Sequence, residues 1–154
     1  MFRGNHALNM DAKGRLTIPT KLRDPLIAAS GGELVVTVDP FKKKDEYTCL
    51  FILPLPKWKE VEMEVCALPT AVRGHRKMQR LLIGHARDVE MDKGGRVLVP
   101  PELRSYADLD KEVVLVGQGQ RYELWNKESW EAECLLDDDS DEDFADLQSL
   151  QLSI

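Results

Sequence analysis

At 154 residues the chain is long enough for one ordinary domain or two small ones, and 43% apolar residues can build a core. The formal charge of −6 argues against a uniformly basic nucleic-acid binder. That acidity is local: residues 137–154 hold seven acids (Asp137, Asp138, Asp139, Asp141, Glu142, Asp143, Asp146) and no Lys or Arg, while the other 136 residues carry 21 bases against 20 acids.

Residues 2–18 are predicted to form a first hairpin. Leu8 and Met10 alternate with Ala7 and Asn9, and Leu16 and Ile18 alternate again after a turn. In that turn Asp11 is expected to accept hydrogen bonds from the backbone, and Gly14 to take a positive φ. Arg15 falls out of phase with the apolar positions, so it should project opposite the core. Pro19 ends the strand. A helix is predicted over roughly Thr20–Ala29, kinked or shortened by Pro25. Gly31-Gly32 makes a turn, Leu34–Val38 a strand, and Pro40–Tyr47, with Lys42-Lys43-Lys44, a polar loop. Cys49–Leu53 is a second strand, closed by Pro54 and Pro56. A helix starting near Lys57 carries Trp58, Val61, Val65 and Leu68 on one face. Pro69-Thr70 ends it, and a longer helix runs from about Ala71 to Gly84. Ala71, Met78, Leu81 and Leu82 form its apolar face; Arg73, Arg76, Lys77 and Arg80 lie opposite. Such a basic face is first a solvated one, and second a contact for a DNA backbone or another subunit.

The chain then repeats itself. Met10, Asp11, Gly14, Arg15, Leu16, Ile18, Pro19, Leu22 and Arg23 return, 81 positions on, as Met91, Asp92, Gly95, Arg96, Val97, Val99, Pro100, Leu103 and Arg104. A constant offset over fourteen positions marks a duplicated unit. The second copy predicts a hairpin over Ala86–Val99, a helix over Pro101–Ala107, strands Val113–Val116 and Tyr122–Trp125 around Gly117-Gln118-Gly119-Gln120, and a helix from Lys127 through Cys134 with Trp130. Trp58, Trp125 and Trp130 are expected as core or interface anchors. After Leu136 the acid run predicts disorder, with Leu147, Leu150, Leu152 and Ile154 able to dock weakly.

Candidate sites follow from these motifs. Asp11, Gly14, Asp92 and Gly95 organise the two turns. Arg15 and Arg96 are either solvated and paired with their own aspartates, or held out for a nucleic-acid groove; Lys13 sits beside the first. A two-stranded ribbon fits the major groove, and guanidinium grips guanine O6/N7 or phosphate bidentately. His6 reads as a surface residue, and His75 and His85 are too far apart in sequence for a metal. Gly14, Gly94 and Gly95 lack the Lys-Ser/Thr of a phosphate loop. No nucleophile–base set can be assembled, so neither enzymatic activity, cofactor nor metal is expected. Cys49, Cys66 and Cys134, odd in number and far apart, predict small buried apolar residues and a reducing cytoplasm. The start of the chain is not an apolar leader, and its longest uncharged apolar stretch is too short to span a bilayer.

These strings resemble the MraZ family over roughly residues 1–136. The resemblance is carried by Met1-Phe2-Arg3-Gly4, both Asp…Gly-Arg motifs, Leu53-Pro54-Leu55-Pro56-x-Trp58, Gln79-Arg80-Leu81-Leu82-x-Gly84-His85-Ala86, Lys111-Glu112-Val113 and Glu123-Leu124-Trp125. It implies an α+β, β-rich fold of two tandem swapped-hairpin β-barrel units of the AbrB/SpoVT type, related by a pseudo-twofold. It implies a first repeat at 1–56, a helical connector at 57–84, a second repeat at 85–136 and a tail at 137–154. It implies sequence-specific binding to double-stranded DNA at short direct repeats upstream of the division and cell-wall gene cluster, by Arg15, Arg96 and Lys13. A ring-shaped homo-oligomer in the nucleoid is the expected assembly, with no membrane or small-molecule partner. The Lys42–Glu46 insertion and the acidic tail fall outside the resemblance, and nothing is carried over to them. Two rivals stand beside this: a protein–protein scaffold whose arginines bind acidic partners, and an antitoxin of the AbrB type.

Overall fold

The computed structural model describes residues 1–43, 45–135, 150 and 153. The expectations for Lys44, the acidic run, Leu147, Leu152 and Ile154 lie outside the described residues. The elements are β1 (Asn5–Asn9), β2 (Arg15–Thr17), α1 (Thr20–Ser30), β3 (Glu33–Val38), β4 (Leu50–Pro54), α2 (Leu55–Cys66), α3 (Arg73–Met78), β5 (Arg87–Glu90), β6 (Arg96–Leu98), α4 (Pro101–Tyr106), β7 (Glu112–Gly117), β8 (Tyr122–Asn126) and α5 (Lys127–Leu135).

The strands form two open antiparallel sheets in an α+β fold; among the described residues no closed barrel is formed. One sheet has six strands in the order β1-β7-β8-β4-β3-β5, and the other pairs β2 with β6. The larger sheet is apolar on both faces, which is why β3, β4 and β7 read as near-continuous apolar runs. Strand alternation divides them. Leu34, Val36, Val38, Leu50, Ile52, Val113, Leu115, Tyr122 and Leu124 face one core, with Leu16, Ile18, Leu26, Val97, Val99 and Leu103. Val35, Phe51, Leu53, Val114, Val116 and Trp125 face the other, with Trp58 and Leu82 and, partly buried, Val61, Val65, Met78 and Trp130. The molecule is therefore layered: the β2–β6 ribbon with α1 and α4, then the sheet, then α2, α3 and α5. All three tryptophans serve the second core, where Trp125 and Trp130 lie 5.8 Å apart and tilted.

The predicted hairpin over residues 2–18 is reduced to its turn. The Met10–Leu16 bridge and the bond from Asp11 N to the Arg15 carbonyl close it. Beyond that, β1 leaves for β7, pairing Asn5 with Val116 through Asn9 with Glu112. The physical reason is ladder length: β2 is three residues long and ends near Pro19, so β1 gains more backbone bonds on β7. The second half behaves alike, β5 pairing with β3 while β6 goes to β2. Each half thus gives its opening strand to the other.

Other differences are local. The helix with Pro25 inside runs unbroken from Thr20 to Ser30, because Pro25 removes one donor from an exposed face while Leu26 stays buried. The expected helix from Ala71 to Gly84 starts at Arg73 and passes into a π-helical turn over Gln79–Ile83, leaving Ala71 exposed. That turn delivers the Leu82 carbonyl to the buried Thr37 hydroxyl at 2.6 Å. Cys49 is buried as expected, but Cys66 and Cys134 are exposed at the ends of α2 and α5.

The ribbon is locked where the halves cross. Ile18 N donates to the Gly95 carbonyl at 2.8 Å, and Val99 N to the Gly14 carbonyl at 2.9 Å. Gly14 and Gly95 sit at φ +83° and +74°, and a side chain on either would collide with a guanidinium from the opposite half: Arg104 over Gly14, Arg23 over Gly95. We expect Gly14→Ala to cost about 1–3 kcal/mol in urea unfolding, through a strained φ plus displacement of Arg104. Gly74→Ala, in open space on α3, should leave stability unchanged or raise it. Equal effects at the two positions would show that the cross-half lock carries no energy.

Candidate nucleic-acid interface

The ribbon has one buried and one bare face. Leu16 and Val97 face each other across the ladder, both fully buried. Arg15 opposite Leu98 and Thr17 opposite Arg96 therefore share the outer face. Thr17, Arg96 and Leu98 are exposed and Arg15 half-exposed. The two arginines lie diagonally across the ladder, about 7–8 Å apart at the backbone. The two hairpins expected over residues 2–18 and 86–99 are thus joined: the fold brings both motif arginines onto one two-stranded ribbon.

Each arginine is oriented by its own turn. Asp11 Oδ1 accepts backbone N–H groups of Lys13 at 3.0 Å and Arg15 at 2.8 Å, and its Oδ2 accepts Arg15 Nε at 2.7 Å. Asp92 does the same for Gly94, Arg96 and Arg96 Nε, each at 2.9 Å. Both aspartates are the turn organisers expected. Both arginines are also paired with their own aspartates, as the plainer reading of the residues had it. The pairing engages Nε, and the side chains stay 36% and 45% exposed, so the outer guanidinium edge faces solvent. Lys13 is exposed beside the first turn; Gly94 holds the equivalent place in the second, so this cation is one-sided.

The backbone N–H donated by Arg15 to Asp11, with further help from its guanidinium and from Lys13 N, holds the Asp11 carboxyl below its usual 3.8; Arg96 and Gly94 do so for Asp92.

The basic helix face is elsewhere. Met78 and Leu82 anchor α3 and the π-helical turn to the second core, while Leu81 of the same turn packs against the first. Arg73, Lys77 and Arg80 are exposed, but Arg76 is occupied, its Nη1 donating to the Thr70 and Ala71 carbonyls at 2.8 and 3.1 Å. His6, His75 and His85 each contact a backbone carbonyl, of Arg3, Pro69 and Leu81. Among the described residues no group of three His, Cys, Asp or Glu side chains is arranged for a metal, and no helix is long and apolar enough to cross a membrane.

Sequence reasoning gave no role to Arg23, Arg104, Thr17 or Leu98. Arg23 Nε donates to the Ile18 carbonyl at 2.7 Å while its guanidinium covers Gly95, and Arg104 covers Gly14. The signal was present: Arg23 and Arg104 close the repeated motif at the same offset of 81.

The lowered carboxyls set an acid dependence. A depressed pKa in the folded state adds stability above the unfolded value near 3.8, which is lost as pH falls through the folded one. We expect the gap in Tm between the wild type and the double variant Asp11→Asn/Asp92→Asn to hold above the unfolded value and to narrow as the pH is lowered below it. A gap that stays constant would remove the charge of these carboxylates from the stability of the turns.

The chain is similar to known proteins over most of its length. A family model described as "MraZ protein, putative antitoxin-like" matches residues 1–81 and again 82–149. Relatives named "Transcriptional regulator MraZ" include those of Halorhodospira halophila, 49% identical over 131 residues, and Alkalilimnicola ehrlichii, 50% identical over 131 residues. These alignments cover 85% of this chain and 83% and 84% of the relatives. A third, from Pseudomonas fluorescens, is 47% identical over 132 residues, 86% of this chain and 84% of the relative. On two matched segments and near-half identity along most of its length, this chain belongs to the MraZ family.

Proposed function

We propose that the chain is a sequence-specific DNA-binding transcriptional regulator without enzymatic activity, and that the outer face of the β2–β6 ribbon is its reading surface. The observation that carries this is the shared ladder that sets Arg15 and Arg96 side by side on a bare face. A two-stranded ribbon fits the major groove. A spacing of about 7–8 Å matches roughly two steps of 3.4 Å along the duplex. Each aspartate takes Nε and leaves the outer guanidinium edge free for guanine O6/N7, so the Asp–Arg pair orients the reading group. Lys13 adds a phosphate contact at one end.

One ribbon offers few contacts, so affinity depends on repetition. The assembly we infer is a ring-shaped homo-oligomer whose ribbons engage short repeated sites upstream of the division and cell-wall gene cluster, in the cytoplasm at the nucleoid. Phe41, 68% exposed beside a groove lined by Phe51, Trp58 and Val65, supplies apolar surface for such association. The exchange of β1 and β5 between halves supports the swapped-hairpin arrangement of AbrB/SpoVT proteins, with repeats at 1–56 and 85–136, a connector at 57–84 and the tail at 137–154. Arg73, Lys77 and Arg80 then serve subunit or backbone contacts away from the reading face.

The deciding experiment is a binding titration on the duplex upstream of the protein's own coding sequence, at several salt concentrations. Arg15→Ala and Arg96→Ala should each lose about 1–3 kcal/mol of specific binding, with fold and oligomeric state retained. No binding at low salt, or unchanged affinity in both variants, would exclude the reading; capture of acidic proteins in place of DNA would favour the scaffold.

Asp11→Asn separates orientation from charge. Asn keeps the Oδ1 acceptor of the turn but offers Arg15 Nε no carboxylate. Nonspecific binding should rise with the lost negative charge, while discrimination between specific and random duplex falls. Improvement of both would mean that Asp11 only weakens binding.

A further inference from the structure

The ribbon is nearly symmetric, and the place where its symmetry fails lies on the outer face. The Leu16–Val97 pair is the centre of the ladder. About that centre Arg15 corresponds to Arg96, and Thr17 to Leu98. Two identical arginines are thus flanked by unlike partners: Arg15 stands opposite Leu98, and Arg96 opposite Thr17. Leu98 is 52% exposed, although its strand neighbours Val97 and Val99 are fully buried. Directly paired side chains in such a ladder have Cβ atoms about 4.5–5.5 Å apart. The isobutyl group of Leu98 therefore stands exposed beside Arg15, with Thr17 and Arg96 completing the outer face.

Resting on the DNA-binding reading above, we propose that Leu98 is a specificity-determining residue that packs on the 5-methyl group of a thymine beside the base read by Arg15. Four chemically distinct edges are displayed in the major groove, and the thymine methyl is the only apolar one. A leucine gains from that contact, whereas against cytosine it covers a polar edge and satisfies none of its hydrogen bonds. Thr17, on the other half, presents a hydroxyl as well as a methyl and makes a different demand. The ribbon consequently makes a purely aliphatic contact on one side of its arginine pair and a mixed polar and apolar one on the other. Its site has a direction, to which the unequal Thr17–Leu98 pair contributes on the strands and the one-sided Lys13 at the turn.

The test uses the full-length protein and duplexes enriched from a random library by the protein itself. Each thymine of the enriched sequence is replaced in turn by deoxyuridine, which removes only the 5-methyl group. Wild type should lose about fourfold in affinity at one thymine, the factor expected for one buried methyl group. Leu98→Ala should bind the unsubstituted duplex more weakly and be indifferent to uracil at that position, while its salt dependence stays that of wild type. The uracil scan on the wild type requires no variant to fold. Insensitivity of the wild type to uracil everywhere, or full methyl sensitivity retained in Leu98→Ala, would overturn the assignment while leaving Arg15 and Arg96 in place. Failure to enrich any duplex would instead overturn the DNA-binding reading, and this proposal with it.

Discussion

Three ladder pairs, Arg15–Leu98, Leu16–Val97 and Thr17–Arg96, hold this molecule's two halves in a common surface. So short a ladder is weak alone, since an isolated two-stranded ribbon is marginal in water. It persists because Leu16 and Val97 are driven into the core beneath it, and because its ends are tied to the opposite turn through the Gly14 and Gly95 carbonyls. Arg23 and Arg104 complete the tie by lying over the glycine that the other half needs at positive φ. Each turn closes on its own aspartate, and the opposite half then covers its glycine and ties its carbonyl.

The aspartates couple that scaffold to chemistry. One carboxylate oxygen organises the turn backbone and the other holds the arginine Nε, so the same residue shapes the loop and aims the side chain. An arginine on a free stem loses rotamer entropy when it grips a partner; one already fixed at Nε loses less. Pairing with its own aspartate and contact with a nucleic acid are thus compatible uses of one guanidinium group, engaging different edges. The two readings that compete when only residue types are considered cease to compete once the atoms involved are known.

The layers explain why the ribbon can stay bare. The six-stranded sheet buries both faces, one under the ribbon with α1 and α4, the other under α2, α3 and α5. Tryptophans and the π-helical turn close the second core, with the Thr37 hydroxyl satisfied by the Leu82 carbonyl. That side supplies stability and the apolar groove near Phe41, and leaves the ribbon's outer face free of structural duty.

By itself the sequence determined the parts that depend on neighbours along the chain. The order and type of the elements, the Asp-centred turns with their positive-φ glycines, and the duplication at an offset of 81 were all legible, because turn chemistry, alternation and capping are local. Alternation also placed Arg15 and Arg96 opposite the core. Period two fixes which face a side chain takes but not which strand lies beside it, so the departure of β1 to β7 and the pairing of β2 with β6 could not be read. For the same reason Arg76 looked like a free cation until the loop carbonyls of Thr70 and Ala71 came within its reach, and Arg23 and Arg104 looked like ordinary helix residues. Only the tertiary structure, where distant backbone groups compete for one another's hydrogen bonds, decided that two separate motifs become one surface.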